Sequence, residues 1–425
     1  MKRYPKLLFM NAKSPTITPV VSTDARVRGA ASSPQTLLGL YEVAVLVVVL
    51  CLGYLEIPIY ISELNTSFLP KSFYYAFVVG VAPLLVLRFR SLISYVISPF
   101  SLWALGYITL NLIHLLLALI DGEQSRADII GTKIQYASVA VLLGFACSIT
   151  RTASYERVFP FLAVLIPITV IVDFLHPGVF YPLGTEGSVP GRAAATFINP
   201  NKAGEAMLLT FLLAIPVLRP LYRALLLFLV GAGVILTFSR GTILGWMLLW
   251  SYLVLRRGVP KYTFAVSLLA LGILPMLLVS FESYLAGRAD LSAYLDNLLG
   301  RLDFFRSRVL DDDSALVRAQ VLEAGLDLFL DHPIFGAGAA ATLLWGVGHG
   351  IHNQLVMLAA EYGVFGIALW TSLAVILWKG KYFPEKTFHH AVVTGFVFMS
   401  MFTHNMFDYL YWFLTFALVS GQRRA

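Results

Sequence analysis

Residues 191–202 read GRAAATFINPNK and gather Arg192, Asn199, Asn201 and Lys202 at the mouth of an apolar helix. A guanidinium near hydrocarbon is costly, so such a cluster usually has a task. The task these groups fit is holding phosphate oxygens, through bidentate N–H donors and the backbone N–H groups of a helix start. Asn199-Pro200-Asn201 predicts that start, because proline suits a first helical turn and asparagine caps one.

Three other places carry similar chemistry. Ser239-Arg240-Gly241 is the tip of a tight hairpin between two apolar stretches of about 15 residues, each about 22 Å long as a helix. Arg240 is therefore expected in the headgroup layer, well placed for a lipid phosphate; an ordinary interfacial arginine is the alternative. Asp311-Asp312-Asp313-Ser314 predicts a helix start, and 315–330 continues helically until Pro333. At about 100° per residue, Gln320, Glu323 and Asp327 share a polar face. Arg318 lies opposite, beside Leu322, Gly325, Leu326 and Phe329, and is expected to point to the buried side. There it needs a phosphate or a carboxylate, the latter making an internal salt bridge.

The run 346–366, GVGHGIHNQLVMLAAEYGVFG, places His352-Asn353 at a helix start with Asn353 as its cap. The helix dipole disfavours imidazolium, so His352 is suited to accept a proton near neutral pH, although a histidine at such a place is often structural. His349 and His352 with Asp311 to Asp313 offer a carboxylate-plus-metal alternative. The dipole alone explains three aspartates at a helix start, and no metal and no cofactor is expected. His404-Asn405 and Asp408 either join the outer groups or cap a turn.

The elements that must position these residues follow from composition. The chain has 425 residues, 58% hydrophobic and 13% charged, with a mean hydropathy of +0.77, far more apolar than a soluble domain tolerates. It reads as an all-α integral membrane protein with about twelve spans of roughly 20 residues each. The spans centre near 37–59, 72–88, 100–120, 130–149, 158–175, 203–218, 224–238, 242–255, 262–281, 354–378, 388–403 and 406–421. Residues 1–35 form a basic cytoplasmic tail, 36–281 hold spans one to nine with an outer loop at 176–204, 282–350 form a large outer loop, and 351–425 hold the last three spans.

Of the 31 Lys and Arg, twenty fall on one side of this topology and eleven on the other, which predicts cytoplasmic termini. Five outer cations, Arg288, Arg301, Arg306, Arg308 and Arg318, lie in the larger loop. The net charge of +7 then reflects topology and contact with anionic membrane lipids; no basic run interleaved with aromatics suggests nucleic acid. Cys51 and Cys147 lie inside spans and form no disulfide framework. The sequence contains no GxxxxGK[ST], GxGxxG after a strand or HExxH pattern, which excludes the usual ATP, dinucleotide and zincin readings.

The order GRAAATFINPN, then Ser239-Arg240-Gly241, then Arg318 leading into His332-Pro333-Ile334-Phe335-Gly336-Ala337-Gly338, then His352-Asn353 ahead of Glu361-Tyr362-Gly363-Val364-Phe365-Gly366, resembles the O-antigen ligase and polymerase superfamily over roughly 190–367. The resemblance implies a GT-C-like, metal-independent, inverting glycosyltransferase in the bacterial inner membrane, with a helical periplasmic loop between spans nine and ten. It further implies an undecaprenyl-diphosphate-linked O-antigen donor and a lipid A-core acceptor, the single large loop favouring ligase over polymerase. On that reading Arg192, Arg240 and Arg318 grip the diphosphate, with Arg288, Lys202 and Asn353 nearby, while His352 takes the acceptor proton. Asn199 and Asn201 orient the donor, and Glu361 orients His352 or packs locally. A lipid flippase or secondary transporter also has many helices, but would place its ionisable groups near the bilayer midplane.

Overall fold

The computed structural model describes residues 34–149, 152–182, 185, 192–263, 265, 313–347, 350–403 and 405–421. Nearly all of the basic tail and the ninth expected span lie outside these residues, together with Arg288, Arg301, Arg306, Arg308, Asp311, Asp312, His349 and His404. Backbone contacts divide the chain into 1–39 and 40–425, and the packing below is that of the second unit.

The regular elements among the described residues are helical. The first group runs α1 Pro34–Tyr54, α2 Ile57–Leu64, α3 Pro70–Leu87, α4 Phe89–Val96, α5 Pro99–Ile120, α6 Gln124–Ile149 and α7 Thr152–Leu175. The second runs α8 Pro200–Ala214, α9 Pro220–Leu236, α10 Arg240–Leu255, α11 Asp313–Asp331, α12 Ala341–Leu344, α13 Gln354–Tyr362, α14 Val364–Lys379, α15 Lys386–Met399 and α16 Leu410–Ser420. Proline opens α3, α5, α8 and α9 at the first turn, where its missing N–H has no intrahelical partner to lose.

Five stretches, Leu37–Tyr54, Pro70–Leu87, Pro99–Ile120, Gln124–Ile149 and Ser154–Leu175, are long and apolar enough to cross a bilayer. Pro220–Leu236, Arg240–Leu255, Val364–Lys379 and Leu410–Ser420 are apolar but shorter. Two expected spans are broken. The first ends at Tyr54, and Glu56 takes a left-handed conformation at φ 49° before α2. The tenth, expected as one helix over 354–378, breaks at Gly363, whose φ is 61°. Hydrophobicity is continuous across both breaks, so it does not register them. At the second, a Cβ on Gly363 would lie 2.4 Å from Ile334 O, so only glycine admits the loop that packs there.

Close helix contacts use small residues, the usual device where lipid competes for apolar surface. A Cβ on Gly204 of α8 would lie 2.5 Å from Thr242 Oγ1 of α10, and one on Gly231 of α9 would lie 2.5 Å from Trp246 Cζ2.

The loops sort into two sets. Thr196 Oγ1 donates to Leu55 O, Tyr60 OH to Phe180 O, Arg192 Nε to Thr237 O, Arg126 Nε to Ala339 O and Gln354 N to Ser400 O; the sequence topology assigns all of these segments to one side. At the opposite ends Arg88 pairs with Glu42, Arg223 Nη1 donates to Gly258 O, and the Tyr155 ring meets Tyr382 edge-on.

Candidate functional site

The stretch 192–199 is stitched down from several directions. Asp173, near the end of α7, accepts from Ala194 N and Ala195 N at 2.8 and 2.9 Å. Ala193 N donates to Leu236 O. This clamp holds Ala195 at φ 51°, a conformation costly for a residue with a Cβ. The chain then enters α8 as expected: Asn199 is the cap, its Oδ1 accepting from Asn201 N at 2.8 Å, and Pro200 begins the helix.

Arg192 joins this helix start to the α9–α10 hairpin. Its Nε donates to Thr237 O at 2.7 Å and its Nη2 to Asn201 Oδ1 at 2.9 Å. The hairpin turns through Thr237, Phe238 at φ 49° and Ser239, and Arg240, half-buried, is the first residue of α10. The expected tight tip is therefore present, and Arg192 lies against it. Asn199 and Asn201 build the helix start that the sequence predicts, through the groups named here.

The other helix start also forms as expected, with Asn353 Oδ1 accepting from Val356 N at 3.1 Å and α13 beginning at Gln354. His352, just ahead, is half-buried. Gln354 ties this start to the α15–α16 loop twice, through its N–H to Ser400 O at 2.7 Å and through Oε1, which accepts from Met406 N at 2.7 Å. The same loop reaches α8 and α10. Thr403 Oγ1 donates to Glu205 Oε1 at 2.7 Å, and Phe402 lies so close to Gly241 that a Cβ there would come within 2.9 Å of it. Arg192, Asn199, Asn201, Lys202, Arg240, His352 and Asn353 thus belong to one contiguous cluster of helix starts and loops.

Sequence reasoning missed the acid at its base. Glu205 is 2% exposed and accepts from Thr403, from Trp412 Nε1 at 2.8 Å and from Tyr411 OH at 3.2 Å. A carboxyl in hydrocarbon without such donors would be strongly penalised. Its signal was legible as a lone acid within the apolar run AGEAMLL. Lys202, one turn earlier, lies 3.8 Å from Glu56 Oε2 and 4.4 Å from the Tyr409 ring centre.

At the far end of α13 a second buried group organises the fold. Lys133 Nζ stands 3.7 Å from Glu361 Oε2 and 3.8 Å from Asp408 Oδ2, and Thr342 Oγ1 donates to Glu361 Oε1 at 2.6 Å. Glu361 lies nine residues beyond His352, about 13 Å along a helix axis, so it packs locally and does not orient the imidazole. Asp408 is accounted for by the same ion cluster. The HPIFGAG stretch caps α13: Ala337 N donates to Ala360 O and Gly338 N to Glu361 O. Gly336, at φ 74°, is obligatory here, since a Cβ would lie 2.3 Å from the Glu361 carbonyl carbon.

Arg318 departs from expectation. It is exposed, while Val321 and Gly325 carry the packed side of α11. A Cβ on Gly325 would lie 2.6 Å from Ile351 Cδ1, so α11 packs at the start of α13. Leu322 and Leu326, on the face expected to be buried with Arg318, are exposed as well. Among the described residues no cluster of His, Cys, Asp or Glu has metal-binding geometry.

A protein-family model described as O-antigen ligase matches residues 225–371. That stretch runs from α9 through the first turns of α14 and includes Arg240, Arg318, His352 and Glu361; the Arg192 to Glu205 segment precedes it. No curated protein matches the chain.

Proposed function

We propose that this chain, whose residues 225–371 match the O-antigen ligase family model, is a membrane glycosyltransferase that joins O-antigen from undecaprenyl diphosphate to a sugar hydroxyl of lipid A-core. The observation that carries this reading is the Arg192 bridge between Asn201 and Thr237. It aligns two helix N-termini, those of α8 and α10, beside Arg240, and oriented N–H groups with guanidinium are what a diphosphate requires.

In this scheme the cluster lies on the periplasmic face of a twelve-span, GT-C-like protein of the inner membrane with cytoplasmic termini. Arg240 and Arg318 stabilise charge growing on the diphosphate as the anomeric C–O bond breaks, the largest electrostatic demand of the reaction. Arg192 adds positive charge while holding the helix starts in register, and Arg288 and Lys202 extend the same field. The acceptor hydroxyl attacks the anomeric carbon from the opposite face and passes its proton to His352, with inversion. The diphosphate leaves with the bonding electron pair, so neither nucleotide nor metal is required. Asn353 fixes the imidazole's place by capping α13.

The test combines purified protein, lipid-diphosphate-linked glycan and lipid A-core, with and without a chelator. Formation of a conjugate by wild type, and its loss in His352→Ala with donor binding retained, is expected. Longer lipid-linked chains without a conjugate identify a polymerase instead. Loss of activity on chelation, restored by a divalent ion, overturns the metal-free scheme. Movement of the lipid across vesicles with no glycosidic bond formed identifies transport.

A further inference from the structure

The α5–α6 turn and the chain around α12 border an open cleft of about 490 Å³, lined by Glu123, Gln124, Ser125, Arg126, Leu344 and Trp345 among others. None of these residues takes part in the phosphate-binding cluster. Its floor is built rather than incidental. Arg126 Nε donates to Ala339 O at 2.9 Å and Nη2 to Ala337 O at 2.5 Å, and Gly338, at φ 96°, leaves no room for a Cβ, which would fall 1.8 Å from Arg126 Nη2. Arg126 Nη1 meets Glu123 Oε2 at 2.8 Å, and the Glu123 side chain remains 48% exposed. Gln124 is steadied by Asp128, through Nε2 to Oδ1 at 2.9 Å.

The chemistry of this lining selects its ligand. Glu123 and Arg126 compensate each other, so the cleft offers no net attraction to phosphate. One carboxylate, one amide and one hydroxyl are too polar a wall for an acyl chain. A polyol with an apolar face matches both halves, its hydroxyls meeting the carboxylate, amide and serine while its C–H face lies on the indole and Leu344. The volume is within the usual range for small-molecule sites. Trp345 precedes His352 by seven residues, so the two lie within about 25 Å, the reach of an extended chain.

We propose that this cleft is a saccharide subsite, holding a sugar some distance from the reacting bond. The inference rests on the transferase reading above, in which the sugar belongs either to the acceptor core or to the donor glycan. Gln124→Ala, Ser125→Ala and Trp345→Ala are compared with wild type in steady-state transfer, varying donor and acceptor separately, alongside melting in detergent. A KM raised at least about fivefold for one glycan, with kcat and the melting midpoint near wild type, is expected of Gln124→Ala and Trp345→Ala. A rise confined to acceptor assigns the core sugars, and one confined to donor assigns the polymer. Lipid-free core oligosaccharide and lipid-free O-antigen fragment serve as direct probes, whichever binds being displaced or weakened by the same variants. Wild type that transfers glycan while Gln124→Ala and Trp345→Ala keep both KM values overturns the cleft and leaves the transferase intact. Wild type that transfers nothing under any pairing overturns the reading beneath it.

Discussion

Arg192 and Asn201 are joined by a 2.9 Å bond from guanidinium Nη2 to side-chain Oδ1 while the same guanidinium reaches Thr237 O. The planar fork of arginine spans these two acceptors at once, which an ammonium group does not do with defined geometry. One side chain therefore adds a polar tie between the α8 and α10 starts, beside the close packing of Gly204 on Thr242.

Arg192→Lys should lower kcat/KM at least about tenfold while costing about 1 kcal/mol of stability, the usual worth of a hydrogen bond. Asn201→Ala should act through the same contact, so a double-mutant cycle on kcat/KM should be strongly non-additive. Simple additivity would remove the bridge from the explanation.

Arg318 is exposed, so Arg318→Lys should leave melting unchanged while turnover collapses, because lysine lacks the bidentate fork that phosphate rewards. Normal turnover in a folded Arg318→Lys protein would show that charge alone, or no contact at all, is involved.

Glu205→Ala should be chiefly a stability defect. It leaves the Thr403 and Tyr411 hydroxyls and the Trp412 indole N–H without the acceptor they share, at a cost of about 3 kcal/mol. Thermal melting in detergent measures this directly, and an unshifted midpoint would mean that water replaces the carboxyl there.

Lys133→Met should destabilise by about 3–5 kcal/mol, since it leaves the buried Glu361 carboxylate, and the half-buried Asp408 beside it, without their cation. Neutralising both acids in the same protein, with Glu361→Gln and Asp408→Asn, should recover most of the loss. A triple variant as unstable as Lys133→Met would point to packing of the lysine stem instead of charge.

Much of the local structure was legible. Asn199-Pro200, the Ser239-Arg240-Gly241 tip and His352-Asn353 each begin or closely precede a helix where the sequence suggests, because caps and proline act within a few residues. The Glu205 support was not legible, since nothing near Glu205 in sequence indicates that its donors come from residues 403, 411 and 412. The orientation of Arg318 was misjudged for a related reason. Helical periodicity groups residues into faces, but only the packing of α11 against the start of α13 decides which face is covered, and that face carries Val321 and Gly325.

The sequence by itself determined the membrane-helical class and most helix starts, because hydropathy and caps are properties of short windows. Tertiary structure decided that Arg192 clasps Thr237 and Asn201, that Gly363 divides α13 from α14, and that Lys133 holds Glu361 and Asp408. Those contacts join residues from nine to more than two hundred positions apart, or answer to such packing. They exist because buried polar groups must find partners wherever folding brings them within reach.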